Sequence, residues 1–195
     1  HDRFGFLTCS LNALNPTTII TNKSQLKALG LNVEANHLNL SPTSDPLSPL
    51  AIPSDFVLMK VPKSFSLFQL YLEHVAQNST KDVTVVLGFM TRHFSTQILE
   101  IAQHYFENVE QSRAVKKART ITLSNKKEVT KANCVDELTY NNQSYQQYWG
   151  VFSSKHIDYA TQYFLEHIEL KTTDDSILDL ASGNGVIASE ISKKI

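Results

Sequence analysis

The stretch Ile177-Leu178-Asp179-Leu180-Ala181-Ser182-Gly183-Asn184-Gly185-Val186-Ile187 decides the fold. Ile177 to Leu180 has the apolar character of a first, buried parallel strand. Gly183 and Gly185 allow positive φ and a close approach of backbone to a ligand. Helical residues begin at Val186, so the loop leads into the free N–H groups and partial positive charge of a helix start. Strand, glycine turn and helix in this order open a nucleotide-type α/β unit, and a small polar or anionic group is the expected guest.

Two ligand chemistries satisfy the spacing. Gly183-x-Gly185-x-x-Ala188 also fits the dinucleotide pattern of NAD enzymes. Asp179, four residues before Gly183, discriminates between them. A carboxylate there can pair with an ammonium and would repel a pyrophosphate. S-adenosylmethionine has that ammonium and no phosphate, so it is favoured over NAD; a purely structural turn is the third reading.

Working outward, the helix before the loop carries Ile157, Thr161, Phe164, Leu165 and Ile168, and a second α/β unit begins near Gly150. Residues 132–149 are rich in Asn, Gln and Tyr and suit a linker or small hairpin. Further upstream, Thr17 to Thr21 reads as a strand, and Ser24 caps a short helix with Gly30 just past its end. Pro42, Pro46, Pro49 and Pro53 mark a loop. Phe56 to Met59 reads as a buried parallel strand ended by Pro62, and Ser64 opens a helix carrying Phe65, Phe68, Leu72 and Val75. Val83 to Leu87, followed by Gly88, is the next buried strand. Ile98, Ala102, Tyr105 and Val109 share a helical face, and Arg119 to Leu123 alternates as a strand does. Residues 1–131 therefore read as a doubly wound domain, incomplete at its start.

The 195 residues carry a net charge of −1 and are 42% hydrophobic, which excludes a disordered or collagen-like chain. No apolar run approaches the ~20 residues of a membrane span. That balance hides an asymmetry. Residues 113–131 hold seven basic side chains (Arg113, Lys116, Lys117, Arg119, Lys126, Lys127, Lys131) against Glu128 alone. Such a segment is where a polyanion is expected to touch, with a solvated loop as the plain alternative. Cys9 and Cys134 are far apart and read as reduced thiols of a cytoplasmic protein. Asn78-Ser79-Thr80 and Asn142-Gln143-Ser144 match the glycosylation pattern by chance. His74, His93, His104 and His167 lack ligand spacing, so no metal site is expected. Tyr140, Tyr145, Tyr148 and Trp149 could stack on bases, but packing between two domains is their expected role.

Gly150-Val151-Phe152-Ser153, then Ile157-Asp158, then Ile177 to Ile187 resemble the start of the catalytic domain of bacterial ribosomal RNA guanine-N2 methyltransferases. The upstream half is similar to the non-catalytic N-terminal domain of the large-subunit (23S) type. It carries Asp2-x-Phe4-Gly5-x-Leu7-x-Cys9-x-Leu11, Lys60-Val61-Pro62-Lys63 and Lys116-Lys117-Ala118-Arg119. The small-subunit (16S) enzymes are close relatives. Ala181-Ser182 and Ser154-Lys155-His156 depart from that pattern.

The resemblance implies two Rossmann-like methyltransferase folds of α/β class: a degenerate, non-catalytic one over 1–131, a linker or hairpin over 132–149, and the beginning of a catalytic domain over 150–195. It implies S-adenosylmethionine as cofactor, with Phe152, Ser153, Asp179, Ser182, Gly183, Asn184 and Gly185 as its binding residues. The catalytic Asn-Pro-Pro-aromatic motif is expected beyond Ile195, so this chain alone is expected to be inactive. In the first fold, His1-Asp2-Arg3-Phe4-Gly5 stands where the glycine loop would be. Lys60-Val61-Pro62-Lys63 stands where the catalytic motif would be, and a lysine cannot accept a hydrogen bond from an amine. The implied function is N2-methylation of a guanine in 23S ribosomal RNA, in the cytoplasm. Lys63, Lys116, Lys117 and Arg119 are the candidate contacts to that RNA. The alternatives are a small-subunit guanine-N2 methyltransferase and a non-enzymatic RNA-binding module.

Overall fold

The computed structural model describes residues 4–40, 42–43, 53–153, 156–171, 173–174, 176–180 and 182–194. They fall into two compact units, 1–131 and 132–195. The first contains α1 (Phe6–Ser10), α2 (Lys23–Ala35), β1 (Ser54–Lys60), α3 (Phe65–Asn78), β2 (Ser79–Met90), α4 (Thr96–Tyr105), β3 (Phe106–Gln111) and β4 (Ala118–Lys126). Its sheet has the order β1-β2-β4-β3. Only β1 and β2 run parallel; β4 is antiparallel to both of its neighbours. The sheet is therefore mixed, and the hairpin β3–β4 inserts its second strand beside β2.

Helix α3 starts where Ser64 places its Oγ 3.2 Å from the Leu67 amide. Its Phe68 and Leu72, with Ile98, Ala102 and Tyr105 of α4, cover one face of the sheet. They bury Val83, Val85, Leu87, Ile121 and Leu123 completely. Replacing Ser64 with alanine frees that amide and should cost about 1 kcal/mol of stability. Urea denaturation followed by far-UV circular dichroism measures it.

Several local expectations change. Phe56 to Met59 lies in a parallel strand, but at the edge of the sheet. Val57 and Met59 pack on the core, while Phe56 and Leu58 alternate to the face away from α3 and α4 and remain about half exposed. Strand β2 runs through Gly88, which is paired on both sides, to Met90. Tyr105 is the last residue of α4, so Val109 belongs to β3. The cap of α2 is Asn22, whose Oδ1 accepts from the amides of Ser24 and Gln25, and Gly30 lies inside that helix. Thr17 to Thr21 contributes one isolated bridge, Ile19 to Thr43, instead of a strand. Pro46 and Pro49 lie outside the described residues.

The second unit holds β5 (Val135–Tyr140), β6 (Gln143–Tyr148), α5 (Tyr159–His167) and α6 (Val186–Ile191). The two strands form an antiparallel hairpin. Its turn residues Asn141 and Asn142 both have positive φ, as a two-residue type I′ turn requires. Asp158 caps α5 by accepting from the Ala160 and Thr161 amides. Leu138, Tyr145, Ile157, Leu165, Val186 and Ile191 make the core. Tyr145 is thus a core residue of this unit, and Trp149 donates to Asp136 Oδ1 within it. Ile177 to Leu180 does not form the expected strand. A parallel strand needs neighbours, and among the described residues none pairs with it; Leu178 and Leu180 are over four-fifths exposed.

Candidate cofactor loop and basic edge

The glycine loop has the backbone that its sequence demands. Gly183 and Gly185 hold φ of 57° and 78°, and no described atom lies within 4 Å of the position a Cβ would take on either. The loop surface at Ser182 and Gly183 is exposed. Asp179 folds over the first turn of α6, its Oδ2 accepting from the Ala188 amide at 3.1 Å. The carboxylate thus fixes the loop to the helix and stays half-buried beside it. Asn184 Oδ1 accepts from the Val186 amide at 3.4 Å. Ala181 lies outside the described residues, as do Ser154 and Lys155.

The other expected cofactor residues sit in the turn after β6. Ser153 holds a left-handed φ of 57° and its Oγ donates to the His156 carbonyl. Phe152 beside it is three-quarters exposed. Among the described residues Gln147 connects this turn with the glycine loop, and no sequence motif contains it. Gln147 Nε2 donates to the Ser153 carbonyl at 3.1 Å, and its Oε1 accepts from Asn184 Nδ2 at 2.7 Å.

The hairpin also grips the helix after the loop. Glu190 is buried and accepts from Asn141, Tyr145 and Lys193. Gln143 Nε2 donates to Ser189 Oγ. Gln143, Tyr145 and Gln147 are alternate residues of β6, hence on one face. A polar strand face thereby holds the loop and its helix.

The first unit repeats the loop's ending and fills it. Gly5 precedes α1 with φ 81° and ψ 16°, against 78° and 13° for Gly185 before α6. At Gly5, however, an added Cβ would meet Leu29 Cδ1 at 2.2 Å, so a fully buried leucine of α2 occupies the space that is open at Gly185. Asp2 and Arg3 lie outside the described residues.

The basic residues separate into two groups. Lys126 and Lys127 donate to backbone carbonyls of Ala76, Ser79 and Gln103 and serve the fold. Several others gather at the edge where β1 and β2 end. Lys60 ends β1, Lys63 follows it, and Arg92 follows β2. Ala118 of β4 pairs with Met90, which puts Lys116, Lys117 and Arg119 at the same edge. Lys116 and Lys117 are the two central residues of a type I′ turn between Val115 and Ala118, with φ of 47° and 63°. The Lys117 carbonyl accepts from the Thr91 amide at 2.9 Å, which ties that turn to the end of β2. Lys63, Lys116 and Lys117 are exposed, Arg119 is half-buried, and among the described residues none of the four forms an ion pair. In open α/β sheets the carboxyl edge of the parallel strands is the ligand edge. Among the described residues no group of His, Cys, Asp or Glu is placed to hold a metal ion, and no helix is long and apolar enough to cross a membrane.

Residues 1–127 match the family described as the RLMG N-terminal domain. The chain belongs to the RLMG family. Residues 142–195 match the methyltransferase small domain. The chain is 26% identical over 192 residues to the ribosomal RNA large subunit methyltransferase G of Pectobacterium atrosepticum, covering 96% of this chain and 50% of that protein. It is 32% identical over 144 residues to the protein of the same name from Alcanivorax borkumensis, covering 71% and 36%. The chain thus spans about half the length or less of these curated relatives. Among solved structures it is similar to the T. thermophilus 16S rRNA N2 G1207 methyltransferase in complex with AdoMet and guanosine. That likeness has a TM-score of 0.57 at 17% identity over 76% of this chain and 40% of that one. A putative rRNA-methylase from Clostridium thermocellum gives 0.55 at 10% identity, over 66% and 85%. The fold of the RLMG chain is the Rossmann-like fold of the S-adenosylmethionine-dependent methyltransferases.

Proposed function

We propose that the whole protein transfers a methyl group from S-adenosylmethionine to the exocyclic N2 amine of a guanine in large-subunit ribosomal RNA. The observation that carries this reading is the presence, in one chain, of an RLMG-type N-terminal domain followed by an open glycine loop. The cofactor supplies an electrophilic methyl on a sulfonium. Gly183 and Gly185 would let backbone approach it, with Ser182 and Asn184 as polar neighbours. The half-buried Asp179 carboxylate offers an acceptor of the right charge for its ammonium. Phe152 and Ser153 would close the other side. The guanine must be unstacked to reach such a site. The residues that hold its amine belong, in this reading, to sequence beyond Ile195.

The first unit would carry no cofactor, because Leu29 fills the space beside Gly5. Its role in this reading is RNA docking through Lys63, Lys116, Lys117 and Arg119, whose cationic edge suits phosphate contacts.

Mass mapping of ribosomal RNA from a deletion strain tests the proposal. The expected result is loss of one N2-methylguanine from 23S RNA, restored in vitro by the whole protein with S-adenosylmethionine. Loss from 16S RNA would instead favour the small-subunit reading. No lost methyl group would leave a non-enzymatic RNA-binding module. Calorimetry should detect S-adenosylmethionine binding by the whole protein and little by residues 1–195 alone.

A further inference from the structure

We propose that Gln147 is a positioning residue for the cofactor site, holding the glycine loop and the Phe152–Ser153 turn in register through a polarised chain of two amides. This rests on the reading that those two segments bind S-adenosylmethionine. Gln147 is 4% exposed, so both ends of its amide must be satisfied by protein. They are: Nε2 donates to the Ser153 carbonyl and Oε1 accepts from Asn184 Nδ2. Asn184 Oδ1 in turn accepts from the Val186 amide.

The direction of this chain is forced from both ends. The Ser153 carbonyl can only accept and the Val186 amide can only donate, so each side-chain amide has one possible orientation. A carboxylate at position 147 or 184 offers two acceptors and breaks the sequence of donors. Both anchored segments depend on it. Ser153 is a non-glycine residue with left-handed φ, and Asn184 lies between two glycines with positive φ. Such backbone persists only where surrounding contacts determine it. Residues 176–180, which lead into the loop, pair with no strand among the described residues. Gln147 instead anchors the loop from the paired strands of the hairpin.

The test uses the whole protein and three variants: Gln147→Met, of similar volume but without polarity, Gln147→Glu, and Asn184→Ala. Calorimetry should give an S-adenosylmethionine affinity about tenfold weaker for each, the scale of one buried hydrogen bond lost. The double variant Gln147→Met/Asn184→Ala should be no weaker than the weaker single, since both open one chain. KM for S-adenosylmethionine should rise more than kcat falls. In the cofactor-free protein, amide hydrogen exchange at residues 182–186 should accelerate in Gln147→Met. Unchanged exchange and affinity in that variant, or additive losses in the double, overturn the proposal. Should Gln147→Met fail to fold, Asn184→Ala carries the test from the half-exposed end. Exchange around Ser153, thirty-one residues away in the chain, must then rise, and wild-type exchange there refutes the clamp. Failure of the wild-type protein to bind S-adenosylmethionine would instead sink the functional reading, while the cofactor-free exchange still judges Gln147.

Discussion

Replacing Glu190 with alanine is expected to destabilise the second unit by about 2 kcal/mol, the scale for leaving the buried Tyr145 hydroxyl without its charged acceptor. Burial alone pushes the Glu190 carboxyl up. The hydrogen bonds from Lys193, Tyr145 and Asn141, with the nearby Lys193 charge, outweigh it and hold the group at about 2 against an ordinary 4.5. Lys193 stands in solvent, so its share is screened. Tyr145 and Asn141 make the more durable part of the clamp.

The pH dependence follows in sign. A carboxyl depressed on folding binds its proton more tightly in the unfolded chain, so its contribution is complete above about 4.5 and disappears as pH falls towards 2. Trp149, the chain's single tryptophan, lies in this unit and reports its unfolding by fluorescence. Stability measured that way should fall through this window, and the Glu190→Gln variant should show a flatter fall. Equal slopes in the two proteins would remove Glu190 from the account.

Reversing charge at both turn lysines, Lys116→Glu with Lys117→Glu, is expected to weaken RNA binding by one to two orders of magnitude at low salt, roughly one lost phosphate contact for each position. The slope of log affinity on log salt should become shallower by about 1 per lysine. Fluorescence anisotropy with a large-subunit RNA fragment at several salt concentrations measures both. The two side chains are exposed at a hairpin tip, so the core is untouched. An unchanged affinity and slope would move RNA docking away from this edge. Changing Lys126 and Lys127 instead should affect stability, because those ammonium groups satisfy backbone carbonyls.

What could be read from sequence was whatever depends on neighbours in the chain. Ser64 as a cap, the face of α3 and the burial of Val83, Val85 and Leu87 are local facts, and the structure has them. Tyr105 and Val109 illustrate the limit. A spacing of four fits one face of a helix and also one face of a strand, so the end of α4 at Tyr105 left no mark in the pattern. Strand direction left none either. An alternating run such as Arg119 to Leu123 pairs equally well both ways, and only the short turn at Lys116-Lys117 makes β4 antiparallel to β3. Ile177 to Leu180 has the composition of a buried strand, but composition supplies no partner for it.

The site shows the same division. The positive φ at Gly183 and Gly185 is written in the residues themselves. The path from Ser153 through Gln147 to Asn184 is not, because Gln-Ser-Tyr-Gln-Gln-Tyr is polar on both faces of β6 and hides which side is inward. The filled loop at Gly5 depends on Leu29 of α2, a contact across twenty-four residues that no local motif records.

The turn at Lys116 and Lys117 also sets two demands against each other. A two-residue type I′ turn is most comfortable as Asn-Gly, and each lysine held with left-handed backbone costs about 1 kcal/mol. Substituting Asn-Gly there would relieve that strain and remove two cations in one step. Selection of variants for heat resistance and selection for affinity to a polyanion would therefore pull these two positions in opposite directions.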